Sequence, residues 1–492
     1  MQHVRKMKAH LTRREWLRLA MAAATLGGCA GNPEALPHLP PGGRTIDDVS
    51  RLNATRVRGI LPVQSEAQAI GAFELAAREN LPISLAGTRH SQGGHIAARQ
   101  GLVLDLRGFN RVLALNPAER TVRVQPGATW KAVQDAANPH GLAVSVMQSS
   151  NIFTVGGSIA ANVHGRDPNH GALISTIRAL RVLLPGGEVV RVSREEHPAL
   201  FPLVVGGFGL FGLVVEAELT LEANAIYQKQ TTFMDYREYP AWFDTAVRGR
   251  SGVGLHYARL SIAGDSLLRE MYATAYHTRE VPPEMQTRLL PLREDEPYFL
   301  PNLVFGNARH SDWGKHLSWS LQKRLLDPAG EGEWTSRNNA MRPPIRFLHY
   351  DAPEDTDVLQ EYYIPVERFV AFVDGLRALC QSERINLLNL TVRHSLPDAE
   401  AMLSYAPRDS FALVLYINLR RSQRGRARAA RWTRKLVDLA HSHGGTYYLT
   451  YQGFPTRAQM RKVYPQAEAF FRRKREVDPK GRLSNRFYED YA

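Results

Sequence analysis

Residues 153–166, FTVGGSIAANVHGR, constrain this chain more than any other stretch. The segment is almost uncharged and dense in small side chains: Gly156, Gly157, Ser158, Ala160, Ala161 and Gly165. Glycine has no Cβ, so main-chain N–H groups can come close to a ligand, and successive amides suit a pyrophosphate or the edge of a flat polar ring. A second stretch of the same character, AGTRHSQGG, occupies residues 86–94. Either loop alone is an ordinary strand connection. Both leave apolar, β-branched runs and are followed by GGFG at 206–209, and together they read as two walls around one extended anionic ligand.

The chain between and beyond these loops alternates short units. VRGILP at 57–62 reads as a strand, and Ser65-Glu66-Ala67-Gln68 as a helix start. Strands are predicted at 82–86, 102–106 and 121–124, a helix at 130–140, and a hairpin over 180–192. LVVEAELTL at 213–221 alternates well and closes this half. The glycine spacing is not G-x-G-x-x-G and no acidic residue follows at the usual distance, which excludes a doubly wound dinucleotide fold. Longer strands are predicted at 255–262, 268–277, 358–364, 385–393 and 411–419, with helices at 366–382 and 424–443. The fold class expected is α+β: a ligand-binding domain, then a domain whose sheet carries helices on one side and roofs the ligand.

Length permits two or three domains at about 150 residues each. The divisions expected are a signal at 1–28, a tether at 29–54, the ligand domain at 55–225, a substrate or cap domain at 226–470, and a segment at 471–492 returning to the first domain. The formal charge is +14; residues 1–28 carry six Lys/Arg against Glu15, so their removal leaves +9. Such a balance suits an anionic lipid or substrate. The basic run at 420–435 has no aromatic but Trp432 and reads as a solvated helix face, not a nucleic-acid surface. Cys29 and Cys380 are the only cysteines, so no disulfide framework and no cysteine metal site is implied, and no metal is expected.

Near the N-terminus Arg13-Arg14 follows a basic stretch and precedes a short apolar run at 19–26. This looks like a twin-arginine export signal, too short to span a bilayer. LGGC at 26–29 resembles a lipoprotein cleavage box with Cys29 as the lipidated residue; an ordinary cleavage site nearby is the alternative. The location implied is the periplasm or cell envelope.

GTRHS at 87–91, TVGGSIAANVHG at 154–165 and VVGGFGLFGLVVEAEL at 204–219 together resemble the FAD-binding domain of the vanillyl-alcohol oxidase (PCMH-type) flavoenzymes. The likeness covers about residues 55–225 closely and the rest thinly. Within that family the chain is most similar to the aldonolactone and alditol oxidases and to the decaprenylphosphoryl-ribose oxidases. The resemblance implies FAD as cofactor, contacted by Gly87, Thr88, Arg89, His90, Ser91, Gln92, Gly93 and Gly94 on one side. Ser149, Thr154, Val155, Gly156, Gly157, Ala161, Asn162, Val163 and His164 would line the other, with Val214 at the adenine end. His90 sits where the alditol and lactone oxidases bond a histidine to the flavin; its alternative is a phosphate contact. Glu361 falls on an active-site carboxylate position, Arg393 would stabilise negative charge on reduced flavin, and Tyr448 matches a cofactor-contacting tyrosine. Tyr451 stands where the decaprenyl branch has lysine. The implied activity is hydride transfer from a polyol, sugar lactone or related carbohydrate to flavin, with oxygen, a quinone or a cytochrome as electron acceptor. A lipid-linked sugar as substrate and an electron-transfer protein without substrate chemistry are the alternatives.

Overall fold

The computed structural model describes residues 43–293, 306, 308–326, 332–343, 350 and 352–492. The expected signal and Cys29 lie outside the described residues. No described helix is long and apolar enough to cross a membrane.

Two differently built sheets form the first half. Gly59–Pro62, Leu102–Asp105 and Ile83–Ala86 make a parallel sheet, with Leu102–Asp105 in the middle. The connection is the helix Glu66–Arg78, whose N-cap Ser65 accepts the Gln68 N–H as its sequence foretold. Its Ala69, Ala72, Phe73 and Ala76 pack with Leu102 and Leu104 in a small core. The apolar run at 57–62 is not one strand. Thr55–Val57 pairs with Arg44–Ile46, and Gly59–Pro62 joins the parallel sheet. The chain at 44–54, expected as tether, is therefore packed against the domain, with Asp48, Ser50 and Leu52 buried.

The second sheet is antiparallel, ordered Val189–Ser193, Ile177–Leu183, Leu213–Ala223, Thr121–Val124, Val112–Asn116, and Leu142–Val144 also pairs with Leu213–Ala223. Half of the central glycine stretch is helical. Val155–Ala161 forms a short helix ended by Asn162 in the left-handed region at φ 47°. Close packing explains the small residues there: a Cβ on Gly156 would lie 2.7 Å from Pro126 Cβ.

The second half is dominated by one antiparallel sheet of eight strands, in the order Trp334–Ser336, Ile226–Asp235, Glu270–Thr278, Val253–Leu260, Asn386–Ser395, Ser410–Arg420, Asp355–Pro365, Thr446–Tyr447. Helices Phe369–Ser382 and Gln423–Ser442 cover one face. Gln360 Nε2 donates to Thr433 Oγ1 at 2.8 Å, and the Tyr362 ring packs on Phe372. Since side chains alternate across a strand, Leu359 and Glu361 point to the opposite face. The exposed arginines of Gln423–Ser442 lie on its outer side, with Trp432, Leu436 and Val437 buried beneath. The chain ends on the first domain: Leu483 bridges to Ile83 in parallel, and Arg482 Nη1 donates to Ala76 O at 2.6 Å.

Candidate cofactor and active site

Between the two halves lies a cavity of about 340 Å³. Its floor is made by the two loops the sequence singled out. They touch: a Cβ on Gly87 would fall 2.2 Å from Thr154 Oγ1. Gly87, Thr88, Arg89, His90, Ser91, Ser149, Thr154, Gly156, Gly157, Ala161, Val163, His164 and Val214 all line the space. Glu361, Arg393 and Tyr448 line it from the roof.

Five expected cofactor residues are absent from the wall, each for a visible reason. Gln92 Oε1 accepts the Leu359 N–H at 2.8 Å, tying the loop to the cap strand. Gly93 has no room for a Cβ because Tyr451 O would lie 2.5 Å away, and Gly94 (φ 74°) donates its N–H to Asp48 Oδ2 at 2.9 Å. Val155 is core, and its N–H goes to Ala128 O at 2.8 Å. Asn162 Nδ2 donates to Asp398 Oδ2 at 2.8 Å, while its Oδ1 accepts the Ile174 N–H. These residues build the floor and do not face the cavity. The Gly156 amide is likewise committed, to Pro126 O at 2.8 Å.

The roof follows the strand period. Tyr257 and Arg259, then Asn389, Thr391 and Arg393, then Val414 and Tyr416, then Leu359 and Glu361 occupy alternate positions on four neighbouring strands, and all line the cavity. At its centre His164 Nε2 lies 2.6 Å from Glu361 Oε1, and both residues are buried. Tyr451 OH donates to Glu361 Oε2 at 3.4 Å. Burial pushes the Glu361 carboxyl up, but His164, Arg393 and Tyr363 outweigh it and hold the group below its usual value. Glu361 is therefore an ionised acceptor for a histidine N–H, and the other ring nitrogen of His164 is Nδ1. That atom is buried with no partner among the described residues. Tyr448 spends its hydroxyl on Ala161 O at 2.8 Å and Tyr405 on Asn162 O at 2.7 Å, so tyrosines fix the carbonyls beside His164.

Buried polar atoms normally find partners. Around this cavity they cluster without one among the described residues: Arg89 Nε, Ser149 Oγ, His164 Nδ1, Arg166 Nε, Arg259 Nε, Arg393 Nε and Thr450 Oγ1. A wall so rich in donors fits a ligand with anionic oxygens and a polar ring edge, as FAD has. Arg166, Tyr257, Arg259 and His95 were missed by sequence reasoning. His95 packs against the rings of Phe208 and Phe487, and burial pushes it down to about 4, so it is neutral at pH 7.

The family described as FAD binding domain matches residues 57–193. Cytokinin dehydrogenase 5 of Arabidopsis thaliana is 34% identical over 172 residues, 32% of each chain. Decaprenylphosphoryl-beta-D-ribose oxidase of Mycolicibacterium smegmatis is 23% identical over 464 residues, 87% of this chain and 93% of the oxidase. Cytokinin dehydrogenase 2 of Oryza sativa subsp. japonica is 33% identical over 147 residues, 28% of this chain and 26% of its own. The chain thus spans about a third or less of these cytokinin dehydrogenases but nearly all of the oxidase.

Proposed function

We propose, from the FAD binding domain matched over residues 57–193, that this chain is a PCMH-type FAD-dependent oxidoreductase and that it oxidises a carbinol carbon of a polyol, sugar lactone or related carbohydrate. FAD, when bound, accepts a hydride. The floor loops, with Arg89 and Ser149, would hold it, and the roof face would hold the substrate.

The observation that carries the reading is the His164–Glu361 pair. A carbinol that loses hydride must also lose its hydroxyl proton, and His164 Nδ1, buried without a partner among the described residues on the cavity wall, is the atom that takes it. Glu361 receives the His164 Nε2–H, fixes the tautomer and stabilises the charge that develops on the ring. The carboxylate itself acts through the histidine. Tyr451 holds its second oxygen. Closure between floor and roof excludes water from the pair.

Glu361→Gln tests this. The amide keeps the shape but no longer selects the tautomer, so kcat falls by about 10²–10⁴ with FAD content unchanged. Unchanged turnover on the best substrate sinks the assignment. Export by the twin-arginine route and an anchor at Cys29 belong to the same proposal, supported by the basic N-terminus with Arg13-Arg14. The acceptor that reoxidises the flavin, whether oxygen, a quinone or a cytochrome, follows from stopped-flow mixing of the reduced protein with each.

A further inference from the structure

Three buried cations elsewhere in this protein have a carboxylate, and a fourth, Arg482, has backbone carbonyls. Arg309 meets Asp357 at 2.6 Å, Arg337 meets Asp167 at 2.8 Å and Lys474 meets Asp478 at 2.6 Å. Arg166, Arg259 and Arg393 break the pattern. All three are half-buried and line the cavity, and each has a buried Nε without a hydrogen-bond partner. None is in an ion pair among the described residues.

Two of them share one ring. The guanidinium carbons of Arg166 and Arg259 lie 4.9 and 5.8 Å from the Tyr257 centroid. Both are held in place by neutral groups: Arg166 O accepts the His256 N–H at 2.8 Å, Arg166 Nη1 donates to Ala340 O at 3.4 Å, and Arg259 Nη1 donates to Gln322 Oε1 at 3.3 Å. Like charges gathered away from water repel. Burial, with the guanidiniums of Arg393 and Arg259, holds Arg166 below the usual arginine value. The nearby negative group, Glu361, is committed to His164 and Tyr451.

Their position sets which part of a ligand they meet. Arg259 faces Thr391, Thr391 faces Val414, and Val414 faces Glu361, across four strands. Three spacings of about 4.8 Å put the backbones of Arg259 and Glu361 about 14 Å apart. The first loop has its own cation, Arg89, already neutralised by Asp105 at 3.2 Å.

Resting on the carbinol reading, we propose that Arg166 and Arg259, with Arg393 beside them, bind a carboxylate or phosphate carried by the substrate. The preferred carbinol is then a sugar acid or sugar phosphate rather than a neutral polyol. Guanidinium suits either anion through paired N–H donors.

The test uses probes without a carbinol, so no turnover intervenes. FAD-loaded protein is titrated calorimetrically with propionate, methylphosphonate and neutral propionamide at low salt. We expect one or both anions to bind about tenfold tighter than the amide, the better of the two identifying the group, and the advantage to shrink as KCl is added. Arg166→Gln and Arg259→Gln should each abolish the advantage with the visible flavin absorbance per protein unchanged, and Arg259→Lys should keep part of it. Equal binding of all three probes, or an advantage intact in both glutamine variants, overturns the proposal. Loss of FAD from those variants also overturns it, because the arginines would then serve the cofactor. If instead no carbinol ever bleaches the flavin, the functional reading fails while this binding result stands by itself.

Discussion

His90 stands edge-on to Phe153, with ring centroids 4.9 Å apart, in the wall where the first loop meets the second. A covalent bond from this imidazole to the flavin predicts a yellow pellet when the native protein is precipitated with acid, and a colourless pellet with free flavin for His90→Ala. A colourless pellet from the native protein contradicts the bond and leaves His90 as a polar contact. Residues of this kind were legible because they sit in short motifs: GTRHS exposes His90, and NVHG exposes His164. Arg166 and Arg259 were not, since an arginine on or beside a strand reads as an ordinary solvated position. Their signal is the alternation Tyr257/Arg259, Thr391/Arg393 and Leu359/Glu361, and it acquires meaning only once the strands are neighbours.

At the scale of elements, one buried charge cluster ties the loop after the central helix to Leu213–Ala223 and to the short helix Arg337–Ala340. Arg337, 1% exposed, meets Asp167 at 2.8 Å and Glu222 at 3.4 Å, and its other contacts are Tyr227 OH and the carbonyls of Val144 and Ser145. His170 pairs with both carboxylates, Nε2 with Glu222 at 2.6 Å and Nδ1 with Asp167 at 3.3 Å, and they outweigh burial and raise it from 6.5 to about 9. Asp167, His170 and Glu222 are close enough to ligate a metal ion, but the two carboxylates already face two cations. Arg337→Met leaves those carboxylates without their buried partner and should cost about 3–5 kcal/mol, read from the urea midpoint. The histidine makes its contribution pH-dependent. Its folded value exceeds its unfolded one, so its stabilisation is complete below about 6.5 and is lost as pH rises toward about 9. The difference in melting temperature between the native protein and His170→Gln should therefore narrow over that window; a constant difference rules the linkage out. None of this cluster was visible in the chain, because its members are far apart in sequence. Helix Glu66–Arg78 was visible, its Ser65 cap being local chemistry. The apolar run at 57–62 misled for the opposite reason: it divides between two sheets, a choice made by Arg44–Ile46 and Leu102–Asp105.

For the molecule as a whole, both chain ends of the described structure serve the first domain, and the long sheet between them supplies the roof. The α+β class and the antiparallel cap were readable from strand periodicity. How the roof meets the floor was not, for it depends on contacts such as Gln92 with Leu359 and Tyr448 with Ala161, which join distant segments. The account depends on that closure bringing His164 and Glu361 to face a substrate carbinol beside the flavin. The direct measurement is anaerobic mixing of FAD-loaded protein with a panel of sugar acids, sugar phosphates, polyols and lactones, and with secondary amines, following the visible flavin band. The account predicts bleaching by at least one carbinol, slowed by deuterium at the oxidised carbon and nearly abolished by Glu361→Gln. Bleaching by an amine and by no carbinol would contradict it.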